Sequence, residues 1–353
     1  MRRLLAALSL SAVALAAALT GPAQAAPKKS FEIAWTIYVG FMPWPYAAEN
    51  GIVKKWADKY GIDIKVTQLN DYVESINQYT AGKFDGVTLT NMDALTIPAA
   101  GGVDTTALII GDFSNGNDGI VSKKAKSIAD LKGSSINLVE LSVSHYLLAR
   151  ALDMNGMSEK DVKVVNTSDA DITGAFKTPD VEHVVTWNPM LADVTAEPGA
   201  TELFDSSKIP GEIIDMLSVN TQTLKDNPDF GKALVGIWYE TLKLMEGDAG
   251  KEARTAMGKQ SGTDLAGFDA QLADTNLFSK AGDAVAFAEG PAILKTMELV
   301  RSFSFDHGLL GEGAKSKDAV GMAFAGGKTL GDEKNVKLRF DPTFMKMAAE
   351  GKL

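Results

Sequence analysis

Apolar positions along the chain fall into short runs parted by polar turns, with helical periodicity in the stretches between them. Ile33–Tyr38, Ile62–Leu69, Gly86–Thr90, Thr106–Ile110, Ile120–Ser122, Ser135–Val139, Val162–Val165 and Val184–Thr186 read as strands. Their alternation with helices predicts an α/β fold with largely parallel sheets. After about Asp215 the pattern turns mostly helical. Phe230, Leu234, Ile237, Trp238, Thr241 and Met245 share one face of a long helix, and Phe287, Ile293, Leu294, Met297 and Val300 share one face of another. Both stripes are packing faces. With no internal repeat, low-complexity tract or long linker, two lobes would have to interleave through short crossings.

One run departs from this alternation. Between Trp35 and Tyr46 stand five aromatic rings, broken by Gly40, Pro43 and Pro45, which disrupt any single periodic face. The run lies where a strand hands over to a helix, the edge of an open α/β sheet where ligands bind. Trp35, Tyr38 and Trp44 are therefore candidate pocket walls, with core filling as the alternative, above all for Trp35.

The ends and composition narrow the setting. Arg2 and Arg3, an apolar run to about Leu19 and the small residues of Pro22-Ala23-Gln24-Ala25 predict a secretory leader (1–25) cut after Ala25. The chain has no cysteine, hence no disulfide, thiol nucleophile or lipidated cysteine, which fits a free periplasmic protein. Loss of Arg2 and Arg3 would take the formal charge from −10 to −12, which disfavours nucleic acid or an anionic membrane as partner. Enzyme motifs are scarce. His145, His183 and His307 lack metal-ligand spacing, no phosphate loop occurs, and Asp112 to Gly119 departs from a calcium loop.

Polar clusters recur after the apolar strands instead: Thr90-Asn91-Met92-Asp93, Asp112 to Asp118 with Asn115, Glu140 to Ser144, and Trp187-Asn188-Pro189. Convergent strand ends build a small-molecule cleft. Leu138 to Leu152, Val185-Thr-Trp-Asn-Pro189, Ser114 to Val121 and Gly51-Ile-Val resemble, in order and spacing, the nitrate/sulfonate/taurine-type substrate-binding proteins of ABC importers. Within that family the chain is most similar to the branch encoded beside urea carboxylase, associated with urea-like or guanidine nitrogen compounds. The resemblance implies a periplasmic-binding-protein-like two-lobe clamshell of type II. One lobe would be 29–116 with 216–353 and the other 117–215, joined by crossings near Ser114–Asp118 and Asp215. It further implies a monomer that delivers its ligand to a membrane permease, without cofactor, metal or catalysis. The fold family also holds pyrimidine synthases of thiamine biosynthesis, which use an active-site histidine and a cysteine-rich stretch.

Charge placement bears on the ligand. Ser30–Val53, Gly86–Ser122, Gly133–Ala149 and Thr178–Ser207 contain no Lys or Arg, yet they carry every strand-end cluster and offer Asp93, Asp112, Asp118 and Glu140. An anion would be repelled there. A guanidinium, or less aptly urea, is expected, with the aromatics as stacking faces and Glu140 either touching ligand or capping the next helix. Taurine or another sulfonate is the rival ligand. The candidate contacts are Trp35, Tyr38, Trp44, Asn91, Asp93, Asp112, Asn115, Glu140, Ser144, Trp187 and Asn188.

Overall fold

The computed structural model describes residues 28–353, so the predicted leader and its cut after Ala25 lie outside the described residues. Fourteen strands are described, in chain order: β1 Ser30–Trp35, β2 Asp63–Gln68, β3 Gly86–Thr90, β4 Thr105–Ser114, β5 Asp118–Ser122, β6 Ser135–Leu138, β7 Lys163–Asn166, β8 His183–Trp187, β9 Thr201–Asp205, β10 Ile214–Asn220, β11 Thr275–Leu277, β12 Gly321–Phe324, β13 Lys328–Leu330 and β14 Val336–Phe340. They form two sheets. The larger runs β13-β12-β14-β4-β10-β3-β1-β2 with β11 beside β4, and the smaller runs β7-β6-β8-β5-β9.

Pairing is mixed rather than largely parallel. β1, β2 and β3 pair in parallel, but β10 runs antiparallel between β3 and β4, and β5 runs antiparallel between β8 and β9. The reason is connectivity. The chain leaves the larger sheet at Ser114, builds the smaller one, and returns at Ile214 into the middle of the larger, so each crossing delivers a strand against the local direction. Central strands β3 and β8 are buried at every position, as their unbroken apolar and threonine runs require.

The C-terminal part is less helical than its periodicity suggests, because β10 to β14 all add to the larger sheet. The stripe from Phe230 to Met245 belongs to helix Pro228–Leu244, whose first residue is a proline that needs no amide partner. The second stripe divides into Ala281–Glu289 and Pro291–Asp306, because Pro291 can begin a helix but cannot continue one.

Candidate functional site

Strand ends from both sheets meet at a recess lined by Thr36, Tyr38, Phe41, Tyr72, Thr90, Asp118, Val143, Trp187, Ile213 and Asp215. Sheet register places its acids. Asp215 of β10 stands opposite Asp112 of β4, and Asp118 of β5 stands opposite Trp187 of β8. Tyr38 lies over Gly40, where an added Cβ would fall 2.5 Å from Asp112 Oδ2, so the glycine is what lets ring and carboxylate come together. Tyr38 donates its hydroxyl proton to Asp112 Oδ1 at 2.8 Å.

A second tyrosine repeats the motif. Tyr72 Oη donates to Asp93 Oδ2 at 2.8 Å and accepts the Thr90 amide at 2.9 Å, while Thr90 Oγ1 donates to the same carboxylate oxygen. Its ring meets Trp187 edge-on, with centroids 5.5 Å apart. The Trp187 indole in turn donates to Ile37 O, joining the two sheets across the recess.

Asp93, Asp112, Asp118 and Asp215 are all buried, and among the described residues no Lys, Arg or His pairs with any of them. Oδ1 of Asp93 and Oδ2 of both Asp112 and Asp215 have no hydrogen-bond partner there. Burial disfavours ionised carboxylates. It pushes Asp93 up to about 6 against the bonds from Tyr72 and Thr90, and Asp118 up to about 7 against the bond from Ser114. Burial, with the neighbouring charges of Asp112 and Asp118, drives Asp215 well above the carboxylate range.

The expected contacts separate into three groups. Tyr38 and Trp187 line the recess, and Asp93 and Asp112 stand directly behind the two tyrosines. Five others have different work. Trp35 and Trp44 belong to the core, Trp44 stacked on Trp238, because β1 ends at Trp35 and turns its indole inward. Asn91 holds the Ile214 amide and Glu212 O, bracing the second crossing. Asn188 accepts the Ala192 amide, and buried Ser144 donates its own amide to the N-cap Ser142. Asn115 and Glu140 are exposed. Glu140 neither lines the recess nor caps helix Val143–Met154, whose N-cap is Ser142. A turn through Leu141, at φ 64°, parts the strand end from the helix start. The sequence by itself does not single out Tyr72, and Asp215 reads there as a crossing rather than as a site residue. Only the burial of the first apolar residue after the capping Asp71, and an acid inside the apolar run Ile213 to Val219, pointed to them.

A further cluster lies away from the recess. The ligand-capable atoms of His145, Glu159 and His307 lie within 4.8 Å of one another. The Leu141 amide donates to His145 Nδ1 at 3.1 Å, so the proton sits on Nε2, which is thereby closed to a metal. His307 Nδ1 lies 2.8 Å from Phe303 O and its Nε2 touches Glu159, an arrangement that suits a doubly protonated ring. Burial would raise Glu159, yet the bonds from His145 and His307 hold it down at about 2.

Solved structures share this architecture. The aliphatic sulphonate-binding protein SsuA of Escherichia coli aligns at TM-score 0.66 and 16% identity over 82% of this chain and 95% of its own. The nitrate-binding protein NrtA of Synechocystis PCC 6803 aligns at 0.58 and 13% identity over 92% and 99%. The fold is that of the periplasmic binding proteins. The NMT1/THI5 like family model matches residues 44–243, and the chain belongs to that family. A protein of Brucella abortus (strain 2308), provisionally described as a binding protein, is 26% identical over 223 residues, which is 61% of this chain and 63% of its own length. The match thus spans less than two thirds of that relative.

Proposed function

We propose that the chain is the periplasmic solute-binding component of an ABC importer, and that it captures a small nitrogen compound, guanidinium first and urea second, for delivery to a membrane permease. One observation carries the ligand assignment: buried Asp118 and Asp215 line one recess walled by Tyr38, Tyr72 and Trp187, buried Asp93 and Asp112 stand behind its tyrosines, and none of the four has a basic partner among the described residues. A planar cation that donates from several N–H groups satisfies carboxylates in pairs and stacks on aromatic faces. Its charge offsets the desolvation that otherwise keeps those acids protonated. The resemblance to the branch encoded beside urea carboxylase agrees with this reading.

In this proposal the protein is a monomer whose lobes, 29–116 with 216–353 and 117–215, close about the two crossings without chemistry. An Escherichia coli relative described as an aliphatic sulfonates-binding protein, 31% identical over 84 residues, favours a sulfonate instead. A sulfonate would have to enter beside Asp118 and Asp215 with no Lys or Arg lining the recess. The enzyme alternative needs a histidine at the site, and His145, His183 and His307 all lie outside the lining.

Thermal denaturation of the protein with guanidinium, urea, agmatine, taurine and nitrate, each at millimolar concentration, tests the proposal. Guanidinium at a hundredfold excess over its Kd should stabilise by about 2.7 kcal/mol. A larger shift with taurine or nitrate than with guanidinium would overturn it.

A further inference from the structure

Tyr72 reaches the opposite lobe through its backbone as well as its ring. It is the first residue of helix Tyr72–Thr80, and first-turn amides have no partner within their own helix. The N-cap Asp71 takes the Glu74 amide at 2.8 Å. The Tyr72 amide goes to Asp169 Oδ1 at 3.2 Å. Asp169 itself opens helix Asp169–Lys177, between β7 and β8 of the smaller sheet. A helix beside the larger sheet is thus completed by a carboxylate carried by the smaller one. Burial pushes the Asp169 carboxyl up to about 6, against the amides of both helix amino termini, which favour its negative charge.

The residue so held is the one whose hydroxyl fixes Asp93 and whose ring lines the recess against Trp187. Separation of the lobes would break the Asp169 contact and the Trp187 contact of Tyr72 together. Asp169 is buried and lines a separate pocket with Asp193 rather than the recess itself.

We propose that Asp169 is the clasp of the closed form: a positioning residue that acts through Tyr72 and sets how long a captured ligand stays. The proposal rests on the recess being a ligand site that the lobes close over. A clasp made only on closure slows opening and leaves first encounter alone, so its removal should show in dissociation rather than association.

Stopped-flow measurement with guanidinium chloride at millimolar concentration, followed by tryptophan fluorescence, tests it on the wild type, Asp169→Ala and Asp169→Asn. Asp169→Ala should speed dissociation about tenfold, as expected for loss of a charged hydrogen bond, with association within about twofold. Asp169→Asn keeps an acceptor oxygen and should fall between, and it carries the test should the alanine variant not fold. Unchanged dissociation in both variants, or association slowed as much as dissociation is sped, would overturn the clasp. If the wild type binds urea or taurine but not guanidinium, the same ratios measured with that ligand decide the clasp, while the cation assignment alone fails.

Discussion

Two sets of carboxylates in this molecule differ in what faces them. Glu212, in the second crossing, takes Tyr146 Oη at 2.6 Å and the Arg150 guanidinium through Nε at 2.8 Å and Nη2 at 3.0 Å. Glu159 is shared between His145 and His307 and held at about 2. The recess acids have tyrosine, threonine and serine hydroxyls but no positive partner among the described residues, and burial raises all four. A buried carboxylate without a counter-charge weakens the folded state. The partnered set ties helix Val143–Met154 to the second crossing through Glu212 and to the end of helix Pro291–Asp306 through Glu159 and His307. The unpartnered set is the arrangement that the proposed cation would complete, with stability given up for function.

The sharpest way to break this comparison is to neutralise one acid of the recess. Asp118→Asn keeps the shape and should weaken guanidinium binding at least about thirtyfold by calorimetric titration, the range for truncating one side of a buried charge pair. The same variant, free of ligand, should be more stable than wild type at pH 8 by about 1–3 kcal/mol in denaturant melts. Loss of both affinity and stability would mean that Asp118 is structural.

The next test uses pH, with the two sets predicted to act in opposite directions. Asp93 and Asp118 have folded values of about 6 and about 7, above an ordinary aspartate, so their protonated forms favour folding and that contribution is lost as pH rises from about 4 to about 7. Glu159 is depressed, so its contribution is present above the usual glutamate range and lost as pH falls toward about 2. Guanidinium requires ionised acids, so its affinity should rise from pH 5.5 to 8, by at most about tenfold per unit for each proton released, while urea binding stays flatter. A flat guanidinium profile would remove the recess acids from the site.

A smaller effect is expected in the partnered set. Glu212→Gln removes the charge facing Arg150 and should cost about 1–2 kcal/mol of stability, with a matching fall in thermal midpoint. The smallest belongs to Glu140→Gln, whose side chain is exposed: guanidinium affinity should change less than about twofold, since exposed charges contribute little in screened solvent. A loss above tenfold there would return Glu140 to the site.

Much was legible in the chain itself. Short apolar runs between polar turns marked eight strands, and stretches free of Lys and Arg marked the acidic character of the cleft because the residues that would neutralise it are not there. Tyr38, Trp187, Asp93 and Asp112 follow from strand-end position alone. What tertiary structure decided was which acids converge. Asp215 reaches the recess only because β10 is inserted antiparallel between β3 and β4, and the meeting of Asp112 with Asp215 depends on register between strands about a hundred residues apart. Tyr72 and Asp169 meet only because two helices on different sheets point their amino termini at one another. Glu140 and Trp44 had the right local chemistry, but a turn left one in solvent and helix packing against Trp238 drew the other into the core. Local pattern fixes which residues can face a cleft, and long-range pairing fixes which of them do.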